Sequence, residues 1–130
     1  MTPQHRRLAA RLTEDPASIA RRAAEECLVK KAQDVLILDL RSLTAACDFF
    51  VIASGTSDTQ VRAIAENVIG RLDDEDRVLP WHTEGMGLGR WVLLDYVDFV
   101  VHVFHQETRE YYQLERLWRD APQTRVTEAQ

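Results

Sequence analysis

The chain has 130 residues, 45% of them hydrophobic and 28% charged, which is the composition of one globular domain. It contains no apolar run long enough to cross a bilayer, and its first residues lack the apolar stretch of a secretory signal. The net charge of −5 disfavours nonspecific binding to nucleic acid and favours basic partners. We therefore expect a cytoplasmic protein with little direct nucleic-acid contact and no membrane contact.

The first 14 residues are rich in arginine and are predicted to be an N-terminal extension. A helix capped by Thr2 and opened by Pro3 would be too short to be stable alone, so we favour a frayed extension over an organelle transit peptide. The predicted domain spans residues 15–120. Residues 121–130 are polar and are predicted to be a flexible tail.

The first helix of the domain is predicted to start at Asp15 and Pro16, a capping carboxylate followed by a proline that needs no amide partner. Two strands with apolar residues on both faces follow at 34–39 and 48–55. The helix carries a stripe of small apolar residues suited to packing on a sheet: Ile19, Ala20, Ala23, Ala24, Cys27 and Leu28.

A second helix is predicted after the glycine turn at Gly55, because Ser57 and Gln60 have the spacing of a capping box. The acidic run 73–76 opposes the helix dipole and should end this helix. We interpret that run as a solvated turn, since contiguous acids do not converge on one ion. The apolar residues repeat at helical spacing: Val61, Ile64, Ala65, Val68 and Leu72.

Three more strands are predicted in the C-terminal half. Residues 77–84 should lie at a sheet edge, because Pro80 cannot donate a hydrogen bond to a neighbouring strand. The glycine-rich loop 85–89 has strands on both sides, which favours a hairpin over a phosphate cradle. Residues 91–94 and 99–104 are apolar on both faces and are joined by a tight turn, which predicts strands buried in the centre of a sheet.

A last helix is predicted from Glu107 to the residues before Pro122. The predicted order α, β, β, α, β, β, β, α gives an α/β (α+β) single domain, with a mixed five-stranded sheet flanked by helices. Four residues of the last helix would share a face packed on the core: Tyr111, Leu114, Leu117 and Trp118.

No catalytic or metal-binding pattern stands out in the sequence, and we expect no cofactor. His102 and His105 are three apart on a strand, so they point to opposite faces and cannot chelate one ion. Cys27 and Cys47 fit neither a CxxC nor a zinc pattern, and they are predicted to be small buried apolar residues.

Four segments of the chain together match a known family: KAQDVLILDLR (31–41), CDFFVIASGTSDTQVRAIAENV (47–68), EGMGLGRWVLLDYVDFVVHVF (84–104) and ETREYYQLERLWRDA (107–121). On these segments the chain resembles the ribosomal silencing factor (RsfS, or Iojap-like) family over about residues 17–121. Val97 departs from that pattern, because many members have glycine at this turn.

The resemblance implies a protein that is not an enzyme, although the family fold is similar to that of nucleotidyltransferases. Such a protein would bind the fourteenth ribosomal protein of the large subunit and sterically block joining of the small subunit when nutrients are low. The family's partner-binding face maps to Trp91, Asp95 and Tyr96, with Glu84 nearby. An exposed tryptophan beside a carboxylate would suit a basic surface, whereas the alternative interpretation of Trp91 is sheet core.

Two other functions stay open at this stage. Gly55-Thr56-Ser57 resembles the turn with which nucleotidyltransferases hold a triphosphate, although the paired aspartates that bind magnesium in those enzymes are not seen here. A homodimer built from an exposed strand and the last helix is the other alternative.

Overall fold

The computed structural model describes residues 15–128, so the predicted N-terminal extension lies outside the described residues. None of the helices in this range is both long and apolar enough to cross a bilayer. The helices are α1 (Pro16–Val29), α2 (Asp58–Asp76), α3 (Gln106–Tyr112) and α4 (Leu114–Leu117). The strands are β1 (Gln33–Asp39), β2 (Phe49–Gly55), β3 (His82–Glu84), β4 (Trp91–Asp95), β5 (Phe99–His105) and β6 (Gln123–Arg125).

All six of these strands form one sheet in the order β3-β4-β5-β2-β1-β6. β2 and β5 are parallel, and every other neighbouring pair is antiparallel. The predicted mixed sheet in a single α/β domain is therefore confirmed. The predicted edge position of β3 is also confirmed, although the strand begins at His82, after Pro80.

The prediction of five strands is wrong, because a sixth strand lies in the segment expected to be a flexible tail. β6 pairs with β1, and the Val126 amide donates to the Val35 carbonyl at 2.9 Å. Ala121 and Val126, on either side of the strand, are both buried. The three residues of β6 are polar and carry no strand pattern, so the strand is specified by the open edge of β1 and by its apolar flanks.

Helices α1 and α2 cover one face of the sheet, as their apolar stripes predicted. Both helix caps are confirmed: the Asp15 carboxylate accepts the Ala17 amide, and the Ser57 hydroxyl accepts the Gln60 amide at 3.1 Å. The predicted stripes are buried in the main core, apart from Leu28, which is partly buried there: Ile19, Ala20, Ala23, Ala24 and Cys27 of α1, and Val61, Ile64, Ala65, Val68 and Leu72 of α2.

The opposite face of the sheet is covered only in part, by α3 and α4. The covered part forms a second core cluster around Leu36, Leu38, Ile52, Phe104 and Leu114. Beyond this cluster most side chains on this face are only half-buried, among them Trp91, Leu93 and Val100. The expectation that 91–94 and 99–104 are buried on both faces is therefore wrong for these positions, although His102 and Phe104 are buried here. We call this uncovered region the open face, and define it by Phe50, Trp91, Leu93, Asp95 and Val100.

The last helix differs from its prediction because it breaks at Gln113. This residue adopts a left-handed backbone with φ of 48°, which ends α3 and starts the single turn of α4. The break shifts the helical phase, so a side chain four residues on no longer returns to the same face. Of the four predicted core residues, Leu114 is buried and Trp118 is half-buried, whereas Tyr111 and Leu117 are exposed.

Candidate partner-binding face

Strand register brings three of the four predicted site residues to one side of the sheet. Trp91 and Asp95 alternate with buried Val92 and Leu94 along β4, so they point to the open face. Glu84 of β3 lies opposite Leu93 of β4 and therefore shares that side. The open face thus carries an aromatic ring and two carboxylates near the β3 edge of the sheet.

Trp91 is half-buried and held by contacts on several sides. Its indole Nε1 donates a hydrogen bond to His102 Nδ1 at 3.1 Å. Its ring lies 4.7 Å from the Phe104 ring and 5.1 Å from the Tyr112 ring, measured between centroids. Trp91 is therefore both a packing residue and a partly exposed surface residue, so the sequence-based alternative of a fully buried sheet-core residue does not hold.

Asp95 is a half-buried carboxylate without a cationic partner among residues 15–128. Its Oδ1 accepts the Val97 amide at 2.7 Å, which closes the turn between β4 and β5. Its carboxylate faces a groove of about 470 Å³ between two tryptophans, Trp81 and Trp118, with Phe50 and Val100 in its walls. A carboxylate among apolar and aromatic walls suits a cation on an apolar stem, because the stem packs while the charges pair.

Glu84 is exposed on the edge strand. Its Oε2 lies 3.5 Å from His82 Nε2, and the two side chains point the same way from β3. Glu84 can therefore meet a partner without any rearrangement of the core.

Tyr96 does not belong to this face, so its assignment from the sequence as a partner-binding residue is wrong. Its side chain is 1% exposed and stacks on Phe99, with ring centroids 4.8 Å apart, in the main core under α1 and α2. The alternation of β4 explains this, since Tyr96 follows Asp95 and points to the helix-covered side. Burial raises the pKa of the Tyr96 hydroxyl well above its usual range.

Several exposed aromatic and apolar residues were missed by the sequence reasoning. Tyr111, Tyr112 and Leu117 are 80%, 53% and 76% exposed, although the helical spacing had placed Tyr111 and Leu117 in the core. Tyr112 contacts Trp91, so these residues extend the open face along α3 and α4. Trp81, which is 53% exposed, extends it on the other side. The exposure of Trp81 could have been inferred from the sequence, because regular strand pairing is disfavoured just after Pro80.

The glycine turn after β2 is closed by its own side chains. Gln60 Oε1 accepts the Thr56 amide at 2.7 Å, and Gln60 Nε2 donates to the Lys30 and Lys31 carbonyls at 3.2 Å each. These bonds tie the start of α2 to the end of α1, which is a structural role for Gly55-Thr56-Ser57. No group of three metal-ligating side chains occurs within the range 15–128.

Neither cysteine is placed for chemistry. Both are buried and unpaired, as predicted, and burial raises the pKa of Cys27 to about 12 and that of Cys47 to about 11. A thiol with so high a pKa stays protonated near neutral pH and is a weak nucleophile.

Comparison with known proteins places this arrangement in a family. The model of a family described as ribosomal silencing factor during starvation matches residues 13–130. The chain belongs to the ribosomal silencing factor family. This confirms the resemblance carried by the four sequence segments, and the family is regulatory rather than catalytic.

Relatives of known sequence and structure agree with the assignment. The ribosomal silencing factor RsfS of Bacillus subtilis is 46% identical over 105 residues, which are 81% of this chain and 88% of that protein. A crystal structure of a protein from Chromobacterium violaceum has a TM-score of 0.79 at 33% identity, over 89% of this chain and 96% of that one. Mouse mitochondrial assembly of ribosomal large subunit protein 1 is 31% identical over 68% of this chain and 40% of that protein.

Proposed function

We propose that this ribosomal silencing factor binds the large ribosomal subunit through its fourteenth ribosomal protein and sterically blocks joining of the small subunit. Translation would thereby fall when nutrients are scarce, with the cytoplasm as the place of action. The family assignment supports the ribosomal role, and the relative named for assembly of the ribosomal large subunit supports the choice of subunit.

The observation that carries the proposal is the open face with its acids. A half-covered sheet face with exposed aromatic residues is typical of a protein-binding surface. Asp95 has no cationic partner in the described part of the chain, and Glu84 is exposed, so both carboxylates can pair with a basic ribosomal protein. Trp91, Asp95 and Glu84 remain the proposed contacts, whereas Tyr96 is removed from the set because it is buried.

The charge of the face can be tested without disturbing the fold. The substitution Asp95→Asn keeps an oxygen that can accept the Val97 amide, and Glu84→Gln changes an exposed residue. We expect the double variant to bind purified large subunits roughly tenfold more weakly in co-sedimentation, because two charge pairs at a basic surface are lost. Glu66→Gln is the matched control, since Glu66 is exposed on α2, on the other side of the sheet.

The blocking step needs its own measurement. Large subunits incubated with the protein should form fewer joined ribosomes on a sucrose gradient when small subunits are added, and the double variant should restore joining. Normal binding by the double variant would refute the assignment of the face, and normal joining with bound protein would refute the steric block. A symmetric dimer that buries Trp91 in solution would instead favour the homodimer alternative.

A further inference from the structure

The side chain of His102 is a buried polar group on the open side of the sheet. It is 4% exposed, and it lies on β5 opposite Leu93 of β4. The Phe50 ring meets it edge-on at 4.5 Å between centroids, and the Phe104 ring lies nearly parallel to it at 6.2 Å. These rings leave the imidazole little freedom to rotate, so it offers its neighbours a fixed hydrogen-bond acceptor.

The acceptor atom is Nδ1, and the donor is the indole of Trp91. Trp91 pairs with Phe104 across the two strands, so His102 is its diagonal neighbour on the same face. Their hydrogen bond is 3.1 Å long. Burial lowers the pKa of His102 to about 4, and the ring is therefore neutral near pH 7 and can accept at Nδ1.

This bond fixes the orientation of a half-exposed ring. An indole has one polar atom, and a partly exposed indole could equally turn that N–H towards water. With the N–H bonded inside the protein, the remainder of the ring is carbon and is available for apolar contact. A ring that is already oriented loses less conformational freedom when a partner binds.

We propose that His102 is a positioning residue that sets Trp91 for docking on the large ribosomal subunit. The inference rests on the proposed function, because it assumes that Trp91 contacts the partner. It goes beyond that function by assigning a role in binding to a buried residue that no partner can touch.

The geometry also predicts which replacement will preserve the role. Asparagine is smaller than histidine but can hold its amide oxygen near the position of Nδ1, so His102→Asn should keep the bond to Trp91. Leucine fills the site but has no acceptor, so His102→Leu should free the indole N–H. In a nitrogen–proton correlation spectrum, the Trp91 indole signal should move towards the position of a solvated indole in the leucine variant alone.

A double-mutant cycle tests whether His102 acts through Trp91. We expect His102→Leu to weaken binding to purified large subunits roughly tenfold and His102→Asn to restore it to within about threefold of the wild type. In a Trp91→Phe background, which has no indole N–H, His102→Leu should have no further effect. Variants are compared only after their circular dichroism spectra and melting curves show a folded protein.

The outcomes separate this inference from the function on which it rests. Wild-type protein that fails to bind large subunits would overturn both proposals. Wild-type binding with unchanged affinity in His102→Leu would overturn the positioning role alone. An equal loss from His102→Leu in both backgrounds would also overturn it, because a general effect on the fold does not depend on the indole N–H. If His102→Leu does not fold, the test rests on His102→Asn. A tenfold loss of affinity for large subunits in His102→Asn, with the Trp91 hydrogen bond intact in its spectrum, would refute the positioning role.

Discussion

At the scale of single residues, Val97 shows a local conflict between side chain and backbone. It adopts a φ of 72° in the turn between β4 and β5, a conformation that β-branched residues rarely adopt. The turn is held by the Asp95 carboxylate and by the Tyr96 amide, which donates to the Phe99 carbonyl at 2.9 Å. The left-handed backbone explains why glycine would suit this position.

We expect Val97→Gly to increase the free energy of unfolding by about 0.5–1 kcal/mol. Relief of a left-handed β-branched residue is worth about 1–2 kcal/mol, and the greater entropy of glycine in the unfolded chain offsets part of it. Urea unfolding measures the change. The same substitution at Val29, an exposed residue at the end of α1, should instead lower stability, and a loss of stability at both sites would contradict the argument.

At the scale of elements, α3 is fastened to the sheet by one buried arginine. Arg109 Nη1 donates to the Asp34 carbonyl and to the Ser54 hydroxyl, each at 2.7 Å. Its Nε donates to Glu115 at 3.1 Å, so the same side chain also ties α4 to α3. The sequence did not predict this buried charge or its partners, because nothing in the pattern distinguishes Arg109 from a solvent-exposed helix residue.

We expect Arg109→Met to lower the free energy of unfolding by about 2 kcal/mol. The substitution leaves the buried Ser54 hydroxyl without this donor, whereas Glu115 is partly exposed and can turn to water, which limits the loss. Chemical denaturation provides the measurement. Arg116→Met is the control, because Arg116 is exposed and bonds only to the neighbouring Gln113 side chain among the described residues; similar losses in both variants would count against the fastening role.

The strand β6 makes a second prediction at this scale. A chain ending at residue 120 should lose about 2 kcal/mol of stability, because it gives up the buried Val126 side chain and the bond from the Asp39 amide to the Pro122 carbonyl. A chain ending at residue 127 should be as stable as the full protein. Urea unfolding and hydrogen exchange of the β1 amides test this, and equal stability of all three chains would show that the segment is the flexible tail first predicted.

At the scale of the whole molecule, His102 makes the stability of the fold depend on pH. The unfolded imidazole takes up a proton as the pH falls below 6.5, whereas the folded one stays neutral to about pH 4. The unfolded state therefore binds more protons between these values, and stability falls as the pH decreases from 6.5 to 4.

We expect His102→Leu to remove about 3 kcal/mol of this acid-dependent loss, with no effect on the pH dependence above 6.5. The measurement is urea unfolding of both proteins at intervals from pH 4 to pH 8. Asp39, whose pKa is lowered by its hydrogen bond to Arg41, loses its contribution only at still lower pH. Parallel curves for the two proteins would show that His102 is not the group responsible.

The sequence by itself determined the order of the main elements and the helix-covered face. The Asp15 and Ser57 caps and the apolar stripes of α1 and α2 are local patterns, and local patterns are set by the residues that carry them. The family was also identifiable from sequence, as were Trp91, Asp95 and Glu84 as candidate contacts. A hairpin between β3 and β4 would also have indicated that these three residues lie on the same side of the sheet.

The tertiary structure decided which side chains remain uncovered. The left-handed break at Gln113 ends α3 and changes the faces that its neighbours present, and Tyr111, Tyr112 and Leu117 are exposed. Trp91, which meets the Tyr112 ring, is only half-buried. Tyr96 turned inwards for the opposite reason, because its face of the sheet lies under α1 and α2. Exposure depends on how far one element reaches over another, and β6 depends on a distant strand edge; neither is encoded in the periodicity of a single segment.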